Sequence, residues 1–317
     1  MDQFNVYKDM KARTNGEIYI GVVGPVRTGK STFIKRFMNL MVLPNIEDEN
    51  DRNRANDELP QSSSGKTIMT TEPKFVPNEA VSIKTEEGIE LNVRLIDCVG
   101  YMVEGATGHM EGEEERLVKT PWFDYEIPFT KAAAIGTKKV ITEHSTIGVV
   151  VTCDGSFGEI AAKQYEPAEE ETIKQLKALK KPFVVLLNTI HPYSESTKQL
   201  AAEKEEKYQT KVLPMNLEQM KKEDIYEIIK SVLMEFPISS IGFYVPRWTE
   251  MLKKDHPLKM ELLQMARDVI TEKTTMRDIY EEQEKEYEYI TGQKLESVAM
   301  DSGEVVITVK VGDVYYY

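Results

Sequence analysis

The residues with the clearest chemistry form a glycine-rich loop. Residues 24–31, with the sequence GPVRTGKS, match the phosphate-binding pattern G-x-x-x-x-G-K-[S/T]. An apolar run at 18–23, typical of a buried strand, precedes the loop, and residues 32–41 carry apolar side chains at helical spacing. Because glycines let the backbone turn its N–H groups inward at a helix N-terminus, this context favours a nucleoside triphosphate site over a plain glycine turn. We predict that the nucleotide contacts Gly24, Arg27, Thr28, Gly29, Lys30, Ser31 and Thr32.

A carboxylate ends the second strand of this predicted site. Residues 91–96 alternate and then run apolar into Asp97, and Gly100 follows three positions later. We predict that Asp97 holds Mg²⁺ through water, together with the hydroxyl of Ser31, and that the N–H of Gly100 contacts the γ-phosphate. Lys30 is expected to reach the β- and γ-phosphates. The alternative for Asp97 is a turn-forming residue without a metal.

Two threonines precede a predicted β-hairpin. Residues 81–85, a turn at 86–88 and residues 91–96 predict two antiparallel strands that lead into the metal carboxylate. GTPases of the translation-factor type are built in this way, and a loop threonine before their hairpin binds both Mg²⁺ and the γ-phosphate. Thr70 and Thr71 both fit this role, and the sequence does not choose between them. The alternative is that they are only β-branched residues at the start of a strand.

The segment expected to recognise the base departs from the GTPase pattern. GTP-binding proteins of this class carry Asn-Lys-x-Asp after the next apolar strand, and the Asp accepts both guanine N–H donors. Here Asn188 is present, but Thr189 stands at the Lys position and His191 at the Asp position. Since a site that lacks the carboxylate loses this discrimination, we predict ATP as the nucleotide, with Asn188 in its site. A solvent-facing His191 is favoured over a base contact.

Arg27 is a second departure, because several relatives place an Asn there to recruit a monovalent cation. A guanidinium at this position supplies positive charge in cis as the γ-phosphate leaves, which places Arg27 among the catalytic candidates. The competing interpretation is an exposed Arg that pairs with an acidic residue, and the sequence does not separate the two.

Composition narrows the class of protein further. The chain has 317 residues, 41% of them hydrophobic, and a net charge of −13. This acidic balance argues against nucleic acid and against direct adsorption on anionic lipid. Cys98 and Cys153 end apolar runs and predict no disulfide. With neither a signal peptide nor an apolar run long enough to span a bilayer, we expect a cytoplasmic protein without direct membrane insertion.

Alternating helical and strand patterns predict an α/β fold with a mainly parallel sheet covered on both faces. Residues 1–237 are expected to form a P-loop NTPase domain with a long insertion at about 101–144, which ends in a helix at 131–143. From residue 238 the pattern changes, and 238–317 predict part of a smaller α+β domain. We expect a long helix from Pro257 to about Ile290 and a final, lone strand at 304–311, so that this second domain is incomplete.

Several motifs resemble the stage IV sporulation protein A family, a group of spore-coat morphogenetic ATPases. The likeness extends from about Val6 to beyond Trp248. Besides the phosphate loop, the matching motifs are VLPNI at 42–46, DELPQS at 57–62, GKTIMTTEPKFVP at 65–77, DCVGY at 97–101, TPW at 120–122 and EHSTIGVV at 143–150.

The resemblance implies a GTPase-derived fold that hydrolyses ATP and uses hydrolysis to drive its own polymerisation. The polymer forms the basement layer of the spore coat, on the mother-cell side of the forespore outer membrane. By the same resemblance, Lys30 is the phosphate-loop lysine, Asp97 the metal carboxylate, and Thr70 and Thr71 the sensor threonines. A small membrane-bound peptide and coat proteins are implied as partners, through regions that this sequence does not contain.

Two other functions remain open from the residues. One is a regulatory GTPase switch, against which Thr189 and His191 argue. The other is a scaffold that binds nucleotide without hydrolysing it, because Tyr101 and Met102 occupy the positions where a water-orienting Gln is expected.

Overall fold

A computed structural model describes residues 5–60, 72–85, 88–111, 114–158, 160–280 and 285–312. The chain forms two compact units. We call Thr14–Val232 the core unit, and Met1–Arg13 together with Leu233–Tyr317 the terminal unit. The helices are α1 (Val6–Arg13), α2 (Lys30–Phe37), α3 (Glu49–Asp57), α4 (Phe129–Lys139), α5 (Ala162–Ala178), α6 (Glu195–Tyr208), α7 (Lys222–Met234) and α8 (Pro257–Glu272). The strands are β1 (Glu17–Val23), β2 (Lys74–Lys84), β3 (Glu90–Asp97), β4 (Met110–Glu111), β5 (Glu114–Glu115), β6 (Leu117–Thr120), β7 (Phe123–Pro128), β8 (Ile147–Cys153), β9 (Phe183–Asn188), β10 (Val212–Met215), β11 (Ser240–Tyr244), β12 (Ile290–Ala299) and β13 (Glu304–Val311).

The core unit is built on a six-stranded sheet in the order β10-β9-β8-β1-β3-β2. All neighbours are parallel except β2, which runs antiparallel to β3. Every residue of β8 and of β9 is buried, as expected for central strands covered on both faces. The predicted α/β fold with a mostly parallel sheet is therefore confirmed, and its antiparallel hairpin is formed by β2 and β3.

The predicted insertion contains two small hairpins and a helix. β4 pairs with β5, and β6 with β7. Helix α4 begins at Phe129, two residues before the predicted start, and continues through a π-helical turn to His144. The first residues of the insertion lie close to the phosphate loop, because Val103 and Ala106 are buried in one apolar cluster with Val26 and Tyr165.

The terminal unit contains a three-stranded sheet in the order β11-β13-β12. The prediction of a lone final strand is wrong, since β13 pairs in parallel with β11 and antiparallel with β12. Helix α1 belongs to this unit, and its Val6 and Met10 side chains are buried.

The prediction of one long helix from Pro257 to about Ile290 is also wrong. Helix α8 ends at Glu272, and Ile290 begins a strand. The helix stops because the Asp278 carboxylate accepts hydrogen bonds from the N–H groups of Thr274 and Thr275, at 2.9 and 2.7 Å. Such a local side-chain bond offers the backbone an alternative to the next helical turn.

Two further predictions concern the cysteines and membrane-spanning helices. Cys98 and Cys153 are both buried and free, so no disulfide joins them. In the ranges that the structure describes, no helix combines the length and the apolar character that crossing a bilayer requires.

Candidate nucleotide site

The phosphate loop joins the carboxyl end of β1 to the N-terminus of α2. Its backbone is left-handed at Gly24, Arg27 and Gly29, with φ of +125°, +61° and +99°. A Cβ at Gly24 would lie 2.5 Å from the carbonyl oxygen of Val151, so only glycine fits there. A loop of this kind at a helix N-terminus binds an anion through backbone N–H groups.

Lys30 is buried at the start of α2, and its ammonium group is held by its own loop. The Nζ atom donates a hydrogen bond of 2.5 Å to the carbonyl oxygen of Pro25. The hydroxyl of Thr28 donates to the same oxygen, at 3.0 Å. Burial lowers the pKa of Lys30, against the opposing influence of Cys98 and Asp97. The Lys30 ammonium group therefore lies within the phosphate loop, next to the backbone that is predicted to bind the phosphates.

Ser31 and Asp97 meet as predicted, although they lie on different elements. The Ser31 hydroxyl donates to Asp97 Oδ2 at 2.8 Å. The other oxygen, Asp97 Oδ1, is buried and has no hydrogen-bond partner among the described residues. Burial raises the pKa of Asp97, while the bond from Ser31 and the charge of Lys30 lower it. A hydroxyl beside a carboxylate with an unused oxygen is a donor set that suits Mg²⁺.

Gly100 brings the segment after β3 onto the phosphate loop. Its φ is +93°, and a Cβ there would lie 2.1 Å from the carbonyl oxygen of Gly24 and 2.7 Å from Lys30 Nζ. The next residue closes a short bridge, because Tyr101 N–H donates to Gly24 O at 3.2 Å and Val26 N–H donates to Tyr101 O at 2.9 Å. The structure therefore brings the predicted residues Gly24, Lys30 and Gly100 together.

The Tyr101 side chain is half-buried. It lies against the apolar cluster that contains Val26, Val103 and Tyr165. Burial raises the pKa of Tyr101 to about 12, so the phenol stays protonated at neutral pH. One of the two positions where a water-orienting Gln was expected is thus occupied by a half-buried side chain that packs against this apolar cluster.

Asn188 is the last residue of β9, and its side chain contacts the backbone of the phosphate loop. Its buried amide donates to the carbonyl oxygen of Thr28 at 3.0 Å and accepts from the N–H of Leu217 at 3.2 Å. A Cβ at Gly29 would lie 2.7 Å from Asn188 Nδ2. The structure therefore places Asn188 against the loop, so that it would act on a nucleotide through the position of the loop backbone.

The next residue, Thr189, is paired with a carboxylate that the sequence analysis missed. Thr189 Oγ1 donates to Asp154 Oδ2 at 2.6 Å. His191 is exposed, and its N–H donates to Thr189 Oγ1 at 3.1 Å. The signal for Asp154 was available in the sequence, because this carboxylate directly follows the largely apolar run of β8, as Asp97 ends β3.

Arg27 leaves the loop in a direction that the sequence did not predict. Its guanidinium donates to Thr107 Oγ1 at 2.9 Å and to Thr107 O at 3.4 Å, and Thr107 lies in the insertion. Thr32 is half-buried in the first turn of α2. Thr70 and Thr71, the predicted metal threonines, lie outside the described residues.

Comparisons with known proteins assign both parts of the chain to one family. Residues 1–237 match a family model described as stage IV sporulation protein A, ATPase domain, and residues 238–317 match the middle domain of the same family. Stage IV sporulation protein A of Clostridioides difficile (strain 630) is 49% identical over 315 residues, which is 99% of this chain and 64% of the relative. The Bacillus anthracis protein of that name is 46% identical over 318 residues, covering 100% of this chain and 65% of the relative. The Bacillus subtilis (strain 168) protein is 45% identical, with the same two coverages. The chain thus spans about 64–65% of the length of these relatives.

Proposed function

The chain belongs to the stage IV sporulation protein A family, and from this premise we propose that it binds and hydrolyses ATP and assembles with further copies of itself. In this proposal it forms the basement layer of a spore coat, and hydrolysis drives the assembly. The ATPase-domain match over residues 1–237 and the names of the relatives support this function. We further assign the core unit to the translation-factor-like class of P-loop NTPases, which the β2–β3 hairpin beside β1 supports.

The observation that carries the proposal is the Ser31–Asp97 contact beside the buried Lys30. The Asp97 Oδ1 atom has no partner in the described part of the chain, and an ionised carboxylate oxygen buried without a partner is costly unless a ligand satisfies it. In our proposal Ser31 and Asp97 hold Mg²⁺, with Thr70 or Thr71 as a further ligand. When bound, Mg²⁺ would neutralise charge on the β- and γ-phosphates.

The other residues of the site then have separate tasks. The N–H groups of residues 27–31 bind the phosphates, and the Lys30 ammonium exchanges the Pro25 carbonyl for phosphate oxygens. The N–H of Gly100 contacts the γ-phosphate, which places the start of the insertion next to the bond that breaks. Arg27 adds positive charge beside the loop and, through Thr107, connects it to the insertion.

This connection suggests how hydrolysis affects assembly. The insertion is bound to the phosphate loop through the Tyr101 bridge and through Arg27. Loss of the γ-phosphate removes the contact at Gly100, and we propose that residues 101–144 then repack and expose a surface for the next copy. The insertion is thus the proposed element that reports nucleotide state.

ATP is the proposed nucleotide because the acceptor for guanine is missing. His191 stands where the guanine-binding Asp is expected, and it is exposed. Thr189 stands at the position of the Lys in the Asn-Lys-x-Asp motif, and its side chain is fully buried. A regulatory GTPase switch is therefore the weaker alternative.

One observation favours a second candidate function, a nucleotide-bound scaffold without hydrolysis. Tyr101, at the position of the expected water-orienting Gln, packs into an apolar cluster. Such a site holds ATP·Mg²⁺ but turns it over slowly unless a neighbouring copy completes it. Assembly would then depend on nucleotide binding alone.

The remaining proposals follow from the family resemblance. We propose residues 1–237 as the ATPase domain and 238–317 as part of a middle domain, in a protein located in the mother-cell cytoplasm at the forespore surface. The proposed partners are further copies of the chain and, by the family resemblance, a small membrane-bound peptide and coat proteins.

The test is phosphate release from ATP and from GTP, measured side by side. Lys30→Ala provides the blank, and Lys35→Ala, on the same helix but outside the loop, provides the matched control. We expect ATP turnover well above GTP turnover and above the Lys30→Ala value, together with ATP-dependent sedimentation of the chain. A preference for GTP would contradict the proposal, and binding without turnover would support the scaffold.

A further inference from the structure

The nucleotide has a defined direction across the sheet, if the ATP site proposed above is correct. β1 carries the phosphate loop, and it lies between β3, which ends at Asp97, and β8. Ligands of open α/β sheets bind outside the carboxyl ends of the strands. Because the γ-phosphate and its metal belong beside Asp97, the base must extend to the opposite side, over the ends of β8, β9 and β10.

Asp154 and Thr189 lie together on that side. They directly follow β8 and β9, which are parallel neighbours with Cys153 opposite Asn188. Thr189 is fully buried, and its hydroxyl donates to Asp154 Oδ2 at 2.6 Å. Asp154 Oδ1 accepts from the N–H of Ser156 at 2.9 Å. Both carboxylate oxygens are thus used by donors of the protein.

The same pair fixes the segment after β9. The Thr189 hydroxyl accepts from the N–H of His191 at 3.1 Å, and the N–H of Ile190 donates to Ser156 Oγ at 3.1 Å. Asn188, one residue earlier, is tied to the phosphate loop through Thr28. Two consecutive side chains therefore have different partners. Asn188 binds the phosphate loop through Thr28, and Thr189 binds Asp154 at the end of β8.

We propose that Asp154 and Thr189 are positioning residues for the nucleobase. The pair holds the backbone of 189–191 in place as the surface that receives the adenine ring, in the position where GTPases use a Lys. Hydrogen bonds to a charged group are among the stronger ones in proteins, so the pair is suited to fix a loop. Removing it lowers affinity for the base while the phosphate loop, held by Asn188, is unchanged.

The experiment compares a ligand that has a base with one that lacks it. ATP and inorganic tripolyphosphate, each with Mg²⁺, are titrated calorimetrically into the parent chain, Thr189→Val and Thr189→Ser. We expect Thr189→Val to bind ATP about 10- to 100-fold more weakly, the range that a hydrogen bond to a charged group supplies. Its tripolyphosphate affinity should stay within about twofold. Thr189→Ser keeps the hydroxyl and should restore ATP binding.

Two further variants separate the loss of this hydrogen bond from a general loss of folding. Thr172→Val removes a different buried hydroxyl, which donates to Ala168 O at 2.7 Å within α5, and both affinities should stay at the parent values. Asp154→Asn keeps one acceptor oxygen, and we expect a smaller loss for ATP alone. It takes the place of Thr189→Val if circular dichroism shows that variant to be unfolded.

The possible outcomes separate this inference from the proposed function. An equal loss of ATP and tripolyphosphate affinity in Thr189→Val would mean that the pair supports the phosphate loop, and the inference would be wrong. Unchanged ATP affinity would also overturn it. If the parent chain binds tripolyphosphate and ATP equally well, the base is not recognised, which overturns the inference but leaves the phosphate site. If the parent binds neither, the proposed function fails as well.

Discussion

The Lys30 ammonium group donates a hydrogen bond of 2.5 Å to the carbonyl oxygen of Pro25, five residues earlier in the same loop. This bond holds the cation inside the loop, where the Thr28 hydroxyl shares the same acceptor. A phosphate that enters the loop replaces one carbonyl by charged oxygens, which form stronger hydrogen bonds with an ammonium group. The structure thus provides a cation in place for an anionic ligand.

Gly100 tests how closely the segment after β3 must approach the loop. We expect Gly100→Ala to destabilise the core unit by at least about 2 kcal/mol and to abolish ATP binding, because the new Cβ would lie 2.1 Å from Gly24 O. The control is Gly88→Ala, at a φ of +78° with no atom within 4 Å of the new Cβ. It should cost only about 1 kcal/mol and leave ATP binding unchanged. Equal effects of the two changes in urea unfolding and in ATP titration would contradict this account.

Asp97 should reduce the stability of the ligand-free chain. Burial raises its pKa in the folded state, so the ionised form is disfavoured there. The destabilisation grows as pH rises from the ordinary pKa of an Asp to the raised pKa, and it is complete above the raised value. We expect Asp97→Asn to stabilise the ligand-free chain by about 1 kcal/mol at pH 8, and by less as pH falls towards 4. The same variant should lose the stabilisation that ATP with Mg²⁺ gives the parent chain.

Thermal unfolding at several pH values, with and without ATP and Mg²⁺, measures both effects of Asp97→Asn. Asp154→Asn replaces another carboxylate at a strand end whose two oxygens are already satisfied, and it should not be stabilising. A gain in stability for both variants would show that the effect is not specific to the unpartnered Asp97 oxygen.

Variants of Tyr101 test whether its side chain only packs or also takes part in ATP hydrolysis. We expect Tyr101→Phe to leave the turnover number for ATP within about twofold, because the side chain packs into an apolar cluster. Tyr101→Ala should destabilise the core unit by about 1–3 kcal/mol, since it removes most of a half-buried ring. Steady-state kinetics of the two variants tests this. A tenfold loss of turnover in Tyr101→Phe would show that the phenol takes part in hydrolysis.

Arg13 tests the assignment of helix α1 to the terminal unit. Its Nε donates to the carbonyl oxygen of Met300 at 2.7 Å, and its guanidinium lies 5.5 Å from the ring centroid of Phe236. We expect Arg13→Ala to destabilise this unit by about 1–3 kcal/mol in urea unfolding without changing ATP affinity. Lys11→Ala, at an exposed position of the same helix, should change neither. Equal stability of the two variants would contradict the assignment.

The parts of the site that the sequence predicted are those with local signals. The loop at 24–31 and the Asp97–Gly100 segment each join one strand to the residues that follow it, and β2 and β3 are consecutive strands in the sequence. Thr189 and Asp154 were not paired in the sequence analysis because 35 residues separate them, and only the parallel register of β8 and β9 brings them together.

The errors in the terminal unit have a related cause. Residues from 257 onwards show helical spacing, but helix α8 ends at Glu272. The Asp278 carboxylate accepts hydrogen bonds from the N–H groups of Thr274 and Thr275, which lie just beyond that end. The partners of β13 are β12 and the distant β11, and neither pairing has a signature within β13 itself. A local side-chain contact therefore decided where the helix ends, and strand pairing over long distances in the sequence decided the partners of β13.

Calorimetric titration of ATP, with and without Mg²⁺, into the parent chain, Lys30→Ala and Lys35→Ala decides whether the loop at 24–31 is the nucleotide site. We expect Mg²⁺-dependent binding of one ATP to the parent and to Lys35→Ala, and no measurable binding to Lys30→Ala. Equal binding of ATP to Lys30→Ala and to the parent would contradict this expectation, because the nucleotide would then lie outside the loop at 24–31.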